Sequence, residues 1–267
     1  MKKSIVVSTQ PTKFSALAFK ENLKESIKKI ADLGFDGAEL AVRNPKDLKV
    51  DDVISIIKEN NLEVPAIGTG QAYGEEGLSF SDPDETIRKM AVERINNQIV
   101  FASRFNAQVI IGLIRGIINE NVDKTEAEEW TIDCLRKCTE FAKEYNIGLT
   151  LEPVNRYESN FINTLNEGIE FIKRVGASNL GLLADTFHMN IEEVSIYDSI
   201  IQAKDYITHV HFADSNRWAP GCGHLDFAQI VQTLKKINYQ GYVSAEILPF
   251  PDSDSCARLT IEHLNKI

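Results

Sequence analysis

Four residues with metal-ligating side chains recur along the second half of the chain. They are Glu152, Asp185, His211 and Glu246, here called the rim quartet. Consecutive members are separated by about the length of one strand–helix–strand unit of ~30 residues. Three carboxylates and one imidazole form an oxygen-rich ligand set. Such a set suits a divalent ion of the Mn or Mg type better than a structural zinc, because structural zinc favours sulfur.

Each member of the rim quartet directly follows a short apolar run that is typical of a buried strand. These runs cover residues 148–151, 180–184, 207–210 and 242–245. In a closed parallel barrel the C-terminal ends of all strands open on one face, and active sites lie on that face. We therefore expect the four side chains to meet at one rim.

The first half of the chain shows the same alternation of strand and helix patterns. Four more strands are predicted at residues 5–9, 37–42, 64–67 and 109–113. The first helix has apolar positions at Phe19, Leu23, Ile27 and Ile30 and ends at Gly34. Eight strands alternating with eight helices predict an α/β fold, a (β/α)8 TIM barrel formed by one domain over residues 1–267. An open doubly wound sheet is the alternative, but no G-x-G-x-x-G turn follows the first strand.

Two local features are predicted after the third strand. Residues 68–81 form a long loop on the rim. Asp82 then caps the next helix, with Pro83 at the first helical position and Glu85 completing a capping box.

Composition excludes several classes of partner. The chain has 267 residues, of which 43% are hydrophobic and 25% charged, and its formal net charge is −10. An acidic chain without a basic cluster argues against a nucleic-acid partner. No apolar segment approaches the ~20 residues of a membrane span. The apolar run at residues 5–7 is too short for a signal peptide, so we expect a cytoplasmic protein without a membrane partner.

Three strings that begin at members of the rim quartet make a family resemblance specific. They are EPVNRYE at 152–158, DTFHMNIEE at 185–193 and HFADSNRWAPGCGH at 211–224. Together with Glu246 they resemble, in order and at barrel spacing, the ketose 3-epimerases typified by D-tagatose 3-epimerase, within the xylose-isomerase-like barrel superfamily. The similarity runs over the full length and is densest between residues 152 and 246.

This resemblance implies roles for individual residues. One divalent cation, commonly Mn²⁺ with Mg²⁺ or Co²⁺ as alternatives, is bound by the rim quartet. Glu152 and Glu246 also serve as the acid/base pair on opposite faces of the substrate, a small-molecule ketose or keto-sugar acid. The O1 to O3 region of the sugar is held by Glu158, His188 and Arg217. The family also implies a homo-oligomer.

Elementary chemistry is consistent with those roles. Removing a proton from a carbon next to a ketone leaves an enediolate, whose negative charge a chelated cation stabilises as a Lewis acid. One carboxylate takes the C3 proton and a second returns a proton from the other face, which inverts the centre. A single glutamate at a strand end is more often solvated or ion-paired, so the prediction depends on the whole quartet.

The strings at 68–73 and 184–193 resemble a subgroup of the family that acts on keto-hexonates and converts 5-keto-L-gluconate to D-tagaturonate. Gln71, in the first of these strings, is expected to bind substrate. A carboxylated sugar needs a cationic partner, ideally a bidentate arginine. Arg115 and Arg43, both just past strand ends, are the candidates, and rim ion pairs are the equally weighted alternative.

Three other functions remain open from the sequence. An aldose–ketose isomerase of the hydroxypyruvate or xylose type uses the same enediolate but moves the proton between C1 and C2. An abasic-site endonuclease shares the barrel but needs a multi-zinc cluster, and the five histidines and acidic balance disfavour it. A metal-binding module without catalysis is the third. His209 lies on the same strand face as His211 and either lines the site or is a core histidine.

Overall fold

Eight parallel strands close into a barrel in the computed structural model, which describes residues 1–267. Each strand pairs with its neighbours in sequence, and β1 pairs with β8. The strands are β1 (Lys2–Ser8), β2 (Gly37–Ala41), β3 (Ala66–Gly68), β4 (Gln108–Ile111), β5 (Leu149–Leu151), β6 (Leu180–Asp185), β7 (Ile207–Phe212) and β8 (Tyr242–Ala245). The predicted (β/α)8 barrel is confirmed.

Ten α-helices surround or cap the barrel, and two short 3₁₀ turns lie at Pro45–Asp47 and Leu113–Arg115. The helices are α1 (Leu23–Asp32), α2 (Val50–Glu59), α3 (Gly70–Glu76), α4 (Glu85–Ser103), α5 (Lys124–Glu144), α6 (Leu165–Val175), α7 (Thr186–Glu192), α8 (Ile196–Gln202), α9 (Phe227–Lys236) and α10 (Ser253–Leu264). None of them has the length and apolar character that crossing a membrane requires.

The apolar core divides into one large part and two small ones. The main part lies between the strands and the helices, where outward-facing strand residues such as Leu40 and Ile67 pack on the inner helix faces. The two small parts consist of Ala66, Ile110 and Leu183 and of Val6, Leu17 and Ala41. Much of the remaining interior is lined by buried polar side chains, so the barrel encloses a polar site above a thin apolar layer.

An irregularity between β6 and β7 directs two histidines into the barrel. Ile207 packs in the outer core, and strict alternation would point His209 and His211 the same way. The register shifts after the pair Leu182–Ile207, so that Thr208 is an extra residue on β7. An extra residue of this kind re-aims the side chains that follow it. The shift therefore turns both histidines inward and sets His211 beside Asp185 on β6.

Three local predictions were wrong. Helix α1 begins at Leu23 because Asn22, with φ 48°, caps it, and Phe19 lies before it in a bridge to Val7. Residues 68–81 do not form a continuous loop, since they contain α3. The cap of α4 is Asp84, which accepts from the backbone N–H of Thr86 at 2.7 Å. Asp82 instead accepts from the N–H of Asp84 at 2.8 Å, which moves the helix start two residues on.

Candidate active site

The four donor side chains of the rim quartet converge at the C-terminal ends of β5 to β8. One ligand atom from each lies within 4.8 Å of those of the other three. Asp185 and His211 are each 1% exposed, and Glu152 is 7% exposed. The structure thus brings together all four residues that the sequence placed at one rim.

Three of the converging atoms are buried and have no hydrogen-bond partner. They are Glu152 Oε1, Asp185 Oδ2 and His211 Nδ1. The Nδ1 atom lies 3.6 Å from each of the two carboxylate oxygens. A buried acceptor without a partner costs ~1–3 kcal/mol, and more if it is charged. A divalent cation between these atoms would satisfy all three, so the residues fit such an ion.

Backbone geometry aims these side chains. Asp185 caps α7 through Oδ1, which accepts from the N–H of Phe187 at 2.7 Å, and this leaves Oδ2 facing the site. Glu152 lies against Gly112, where an added Cβ would be 2.5 Å from Oε2. A larger residue at position 112 would therefore displace the Glu152 carboxylate.

Burial strongly affects the electrostatics of the acidic residues. Burial raises the pKa of Glu246 to about 7. Burial also opposes the charge on Asp185, whose Oδ1 accepts from the backbone N–H groups of Phe187 and His188. Closely spaced buried carboxylates need positive charge to remain ionised together. The same site is therefore suited to a cationic ligand.

His188 offers a directed hydrogen-bond donor to the site. Its Nδ1 lies 2.7 Å from Asn155 Nδ2 and 3.3 Å from the backbone N–H of Asn155, and both of these groups donate. Nδ1 is thus an acceptor, and in the neutral ring the proton is on Nε2. That Nε2 atom faces Glu152 Oε1 at 4.0 Å and Asp185 Oδ2 at 3.9 Å.

Arg217 connects two of the acidic residues on the opposite wall. Its guanidinium donates to Glu158 Oε1 and to Glu246 Oε2, both at 2.8 Å, and lies 4.9 Å from the ring centre of Phe187. Burial opposes its charge, but Glu246 and Glu158 raise the pKa of Arg217 above its usual value. The residue has φ 61°, and its carbonyl accepts from the N–H of Leu248. The loops after β7 and β8 are thereby joined at this point.

Gln71 presents a buried acceptor to the same cavity. The Ser8 hydroxyl donates its single proton to the carbonyl of Gln10 at 2.5 Å. It therefore accepts from Gln71 Nε2 at 3.0 Å, which fixes the orientation of the amide. Gln71 Oε1 has no partner, and the residue lines the cavity.

The two arginines considered for a substrate carboxylate are engaged elsewhere. Arg115 is fully buried, and its guanidinium donates to the carbonyls of Gly112, Glu152, Phe161 and Ile162. It does not line the cavity. Arg43 pairs with Glu75 at 2.9 Å and with Glu76 at 3.7 Å. The geometry thus matches the alternative for Arg43 and gives Arg115 a structural position under the loops, and substrate binding by either stays a prediction.

The cavity above the rim quartet has both polar and apolar walls. Apart from the residues already described, its walls include Val6, Phe14, Leu17, Thr69, Leu113 and Val154. Phe14 and Leu17 belong to the segment between β1 and α1. Arg217 is the one arginine or lysine among the lining residues.

Sequence reasoning missed Glu39, which lies on β2 and is 1% exposed. Its carboxylate contacts both inward-facing histidines, with Oε2 at 2.7 Å from His209 Nε2. His209 is accordingly a hydrogen-bonded core histidine. The signal was present, because Glu39 is a charged residue inside the otherwise apolar strand Gly37–Ala41.

The matched family model is described as a xylose isomerase-like TIM barrel and covers residues 27–267. The chain belongs to this family. A D-psicose 3-epimerase of Ruminiclostridium cellulolyticum is 32% identical over 231 residues, which are 84% of this chain and 77% of the relative. A 3-dehydro-D-guloside 4-epimerase of Escherichia coli K12 is 29% identical over 240 residues, 85% and 88% of the two chains.

A solved structure shows the same similarity in three dimensions. It is that of D-psicose 3-epimerase with D-tagatose from Clostridium cellulolyticum H10. It superposes with a TM-score of 0.85 and 27% identity, and covers 100% of this chain and 98% of that one. The resemblance to ketose 3-epimerases noted in the sequence is confirmed.

The buried position of Arg115 predicts a structural effect. Arg115→Met should lower the free energy of unfolding by about 3 kcal/mol or more, because four buried carbonyls lose their donor. Urea denaturation measures this. The control is Arg104→Met, which removes only an exposed pair with Asp51 and should cost about 1 kcal/mol at most. An unchanged stability with a raised KM for a keto-hexonate would instead make Arg115 a substrate-binding residue.

Proposed function

We propose that this chain is a divalent-metal-dependent epimerase that inverts C3 of a ketose through a cis-enediolate. The observation that carries the proposal is the convergence of Glu152 and Glu246 with Asp185 and His211 in one buried donor cluster. That cluster forms the floor of a cavity whose walls also present the Nε2–H donor of His188 and the guanidinium of Arg217. The relatives support the reaction class, since their names describe sugar epimerases.

A divalent cation, for which we propose Mn²⁺, would be held by the rim quartet and would supply Lewis-acid stabilisation of the negative charge on the sugar oxygens. Glu152 and Glu246 act as the acid/base pair. One accepts the proton from C3, and the other returns a proton to the opposite face. Arg217 holds Glu246 at 2.8 Å and so fixes the direction from which that carboxylate approaches the substrate.

Three further residues contribute to stabilising and orienting the substrate. The Nε2–H of His188 points into the donor cluster, where it can donate to an oxygen that becomes negative as the proton leaves. Glu158 accepts from Arg217 and from Asn155 Nδ2 at 3.0 Å, so its position is fixed before a ligand binds. We infer that Glu158, His188 and Arg217 together orient the end of the sugar that carries the ketone.

The two observations on substrate class point in different directions. The strings at 68–73 and 184–193 favour a keto-hexonate. The cavity, however, offers a carboxylate only Arg217, which is already paired with two glutamates. The free acceptor of Gln71 suits a hydroxyl donor instead. We propose a neutral ketose as the primary substrate and a keto-hexonate as the second candidate.

The cavity is narrow, and Phe14 and Leu17 form part of its wall. The free volume of the cavity is about 40 Å³. Small-molecule sites are usually ~300–1,000 Å³. The segment that carries these two residues, between β1 and α1, contains neither helix nor strand, so we infer that it shifts outward when sugar binds.

The homo-oligomer implied by the family stays a prediction.

Metal binding can be separated from folding at Asp185. Asparagine there keeps the cap of α7 but removes one charge from the quartet. Mn²⁺ at about 100 times its Kd should stabilise the unaltered protein by about 2.7 kcal/mol, and Asp185→Asn should remove this effect. Calorimetry with and without Mn²⁺, after treatment with a chelator, measures both.

The matched control is Asp226→Asn, which changes the cap of α9 outside the cavity. It should retain the full response to Mn²⁺. If Asp185→Asn also retained it, the ion would bind elsewhere, and the proposed centre would be wrong.

Isotope exchange tests the reaction itself. Proton NMR in D₂O with the Mn²⁺-loaded protein should show deuterium entering C3 and a new epimer from at least one of D-tagatose, D-fructose and D-tagaturonate. Glu152→Gln and Glu246→Gln should each abolish net epimerisation, because each removes the proton carrier of one face. A sample with chelator is the control.

Other exchange patterns identify the alternatives. Deuterium only at C1 or C2 would indicate an aldose–ketose isomerase. Deuterium at C4 of an added 3-keto glycoside would indicate the reaction named for the Escherichia coli relative. The absence of exchange in every sugar would contradict an epimerase.

The role of Gln71 predicts a change in selectivity. Gln71→Met keeps the length of the side chain but removes the acceptor, so it should reduce kcat/KM for the preferred sugar by about 2- to 12-fold, the equivalent of one neutral hydrogen bond. It should leave kcat/KM unchanged for the deoxy analogue that lacks the bonded hydroxyl. A panel of deoxy ketoses measures this, and an equal loss for every member would contradict a specific contact.

A further inference from the structure

Glu39 occupies an unusual position beneath the rim quartet. It is a carboxylate on β2, buried inside the barrel, and its two oxygens contact side chains of β7. Oε1 lies 3.0 Å and Oε2 lies 3.2 Å from His211 Nε2. Oε2 also lies 2.7 Å from His209 Nε2. Both oxygens are therefore occupied by imidazole nitrogens.

The contact with Glu39 determines which nitrogen of His211 is free. An ionised carboxylate only accepts hydrogen bonds, so His211 Nε2 must be the donor and carry a proton. The lone pair of the neutral ring is then on Nδ1. That atom faces Glu152 Oε1 and Asp185 Oδ2 at 3.6 Å and has no hydrogen-bond partner. Glu39 thus selects the tautomer that metal binding through Nδ1 requires.

His209 anchors the carboxylate from the other side. Its Nε2 donates to Glu39 Oε2, and its ring meets that of His211 edge to face with a centroid distance of 5.3 Å. With two donors on one carboxylate, rotation of the Glu39 side chain would break both hydrogen bonds. The imidazole of His211 is consequently held in one orientation.

We propose that Glu39 is a positioning residue that holds His211 as the Nε2–H tautomer with Nδ1 directed into the donor cluster, and that His209 keeps Glu39 in place. Metal-ligating histidines commonly donate their second nitrogen to a carboxylate, and this contact orients the ring and tunes its basicity. The proposal rests on the metal centre of the proposed function.

An alternative role for Glu39, His209 and His211 is that they form a cation site themselves. Ligand atoms of Glu39, His209 and His211 also lie within 4.8 Å of one another and could themselves surround a cation. Direct hydrogen bonds from both imidazoles to Glu39 favour the positioning role. In addition, the unpartnered Nδ1 of His211 faces the rim quartet instead of this group.

Two measurements on Glu39→Gln test the proposal. Glutamine keeps the shape but offers one acceptor to two histidine donors. The Kd for Mn²⁺, determined from free-ion EPR on metal-free protein, should rise by about 10- to 100-fold. At a pH high enough to leave the His211 ring neutral, the ¹⁵N NMR shifts of labelled histidine in the metal-free protein should show His211 as the Nε2–H tautomer, and Glu39→Gln should convert it to a mixture.

Controls separate positioning from general damage to the fold. Glu63→Gln alters an exposed carboxylate that binds Lys2, and it should leave both the Kd and the His211 tautomer unchanged. His209→Gln removes one anchor and should weaken Mn²⁺ binding less than Glu39→Gln does. If Glu39→Gln fails to fold, the tautomer in the unaltered protein still decides the question.

Several results would overturn the proposal. These are an unchanged Kd in Glu39→Gln, an Nδ1–H tautomer in the metal-free protein, or two Mn²⁺ ions per chain by elemental analysis. If the unaltered protein bound no Mn²⁺, the proposed metal centre would fall. The positioning role would then fall too unless the NMR spectrum showed the Nε2–H tautomer and its loss in Glu39→Gln.

Discussion

Concentrated negative charge at one end of the barrel governs much of the architecture of the site. Glu152, Asp185 and Glu246 converge on His211, and the buried Glu39 contacts the same imidazole. An isolated buried carboxylate is expensive, and each neighbour of like charge adds to the cost. The chain offsets part of this with two histidines on Glu39 and with Arg217 on Glu246. The remaining unpartnered oxygens, on Glu152 and Asp185, are those that a cation would bind.

Several features of the fold make sense as responses to that constraint. The register shift on β7 turns His209 and His211 toward the carboxylates instead of the outer core. Gly112 leaves room for the Glu152 side chain, and the cap of α7 uses one oxygen of Asp185 while leaving the other free. Arg115 donates to the carbonyl of Glu152, so the backbone that carries this side chain is itself held by a buried guanidinium.

The sequence was informative where chemistry and strand ends coincide. Each member of the rim quartet follows an apolar run, and parallel strands that close into a barrel must bring such positions to one face. Glu39 was harder to predict because a lone acidic residue in an apolar strand does not indicate its partners, which come from β7, far along the chain. The shift at Thr208 has no sequence signature, since it depends on how β6 and β7 pair.

The start of α4 was predicted at the wrong residue for a local reason. Asp82 and Asp84 are both good caps, and only the backbone path decides that Asp84 begins α4. The role of Arg115 was obscured for another reason. An arginine just past a strand end reads as a ligand for an anion, whereas its partners are four main-chain carbonyls that no residue pattern reveals.

The donor cluster and the cavity walls come from different parts of the barrel, which explains why the reaction class is easier to infer than the substrate. Epimerisation at C3, epimerisation at C4 of a 3-keto sugar and aldose–ketose isomerisation all begin with loss of a proton from a carbon next to a carbonyl. The rim quartet can serve any of them. In the proposed reaction, which carbon reaches Glu152 and Glu246 would depend on how the rest of the sugar lies against Gln71, Leu113 and the segment with Phe14. On the proposed function, selectivity would depend on walls built from β1, α3 and the turn after β4, whereas the proton chemistry would depend on residues of β5 through β8.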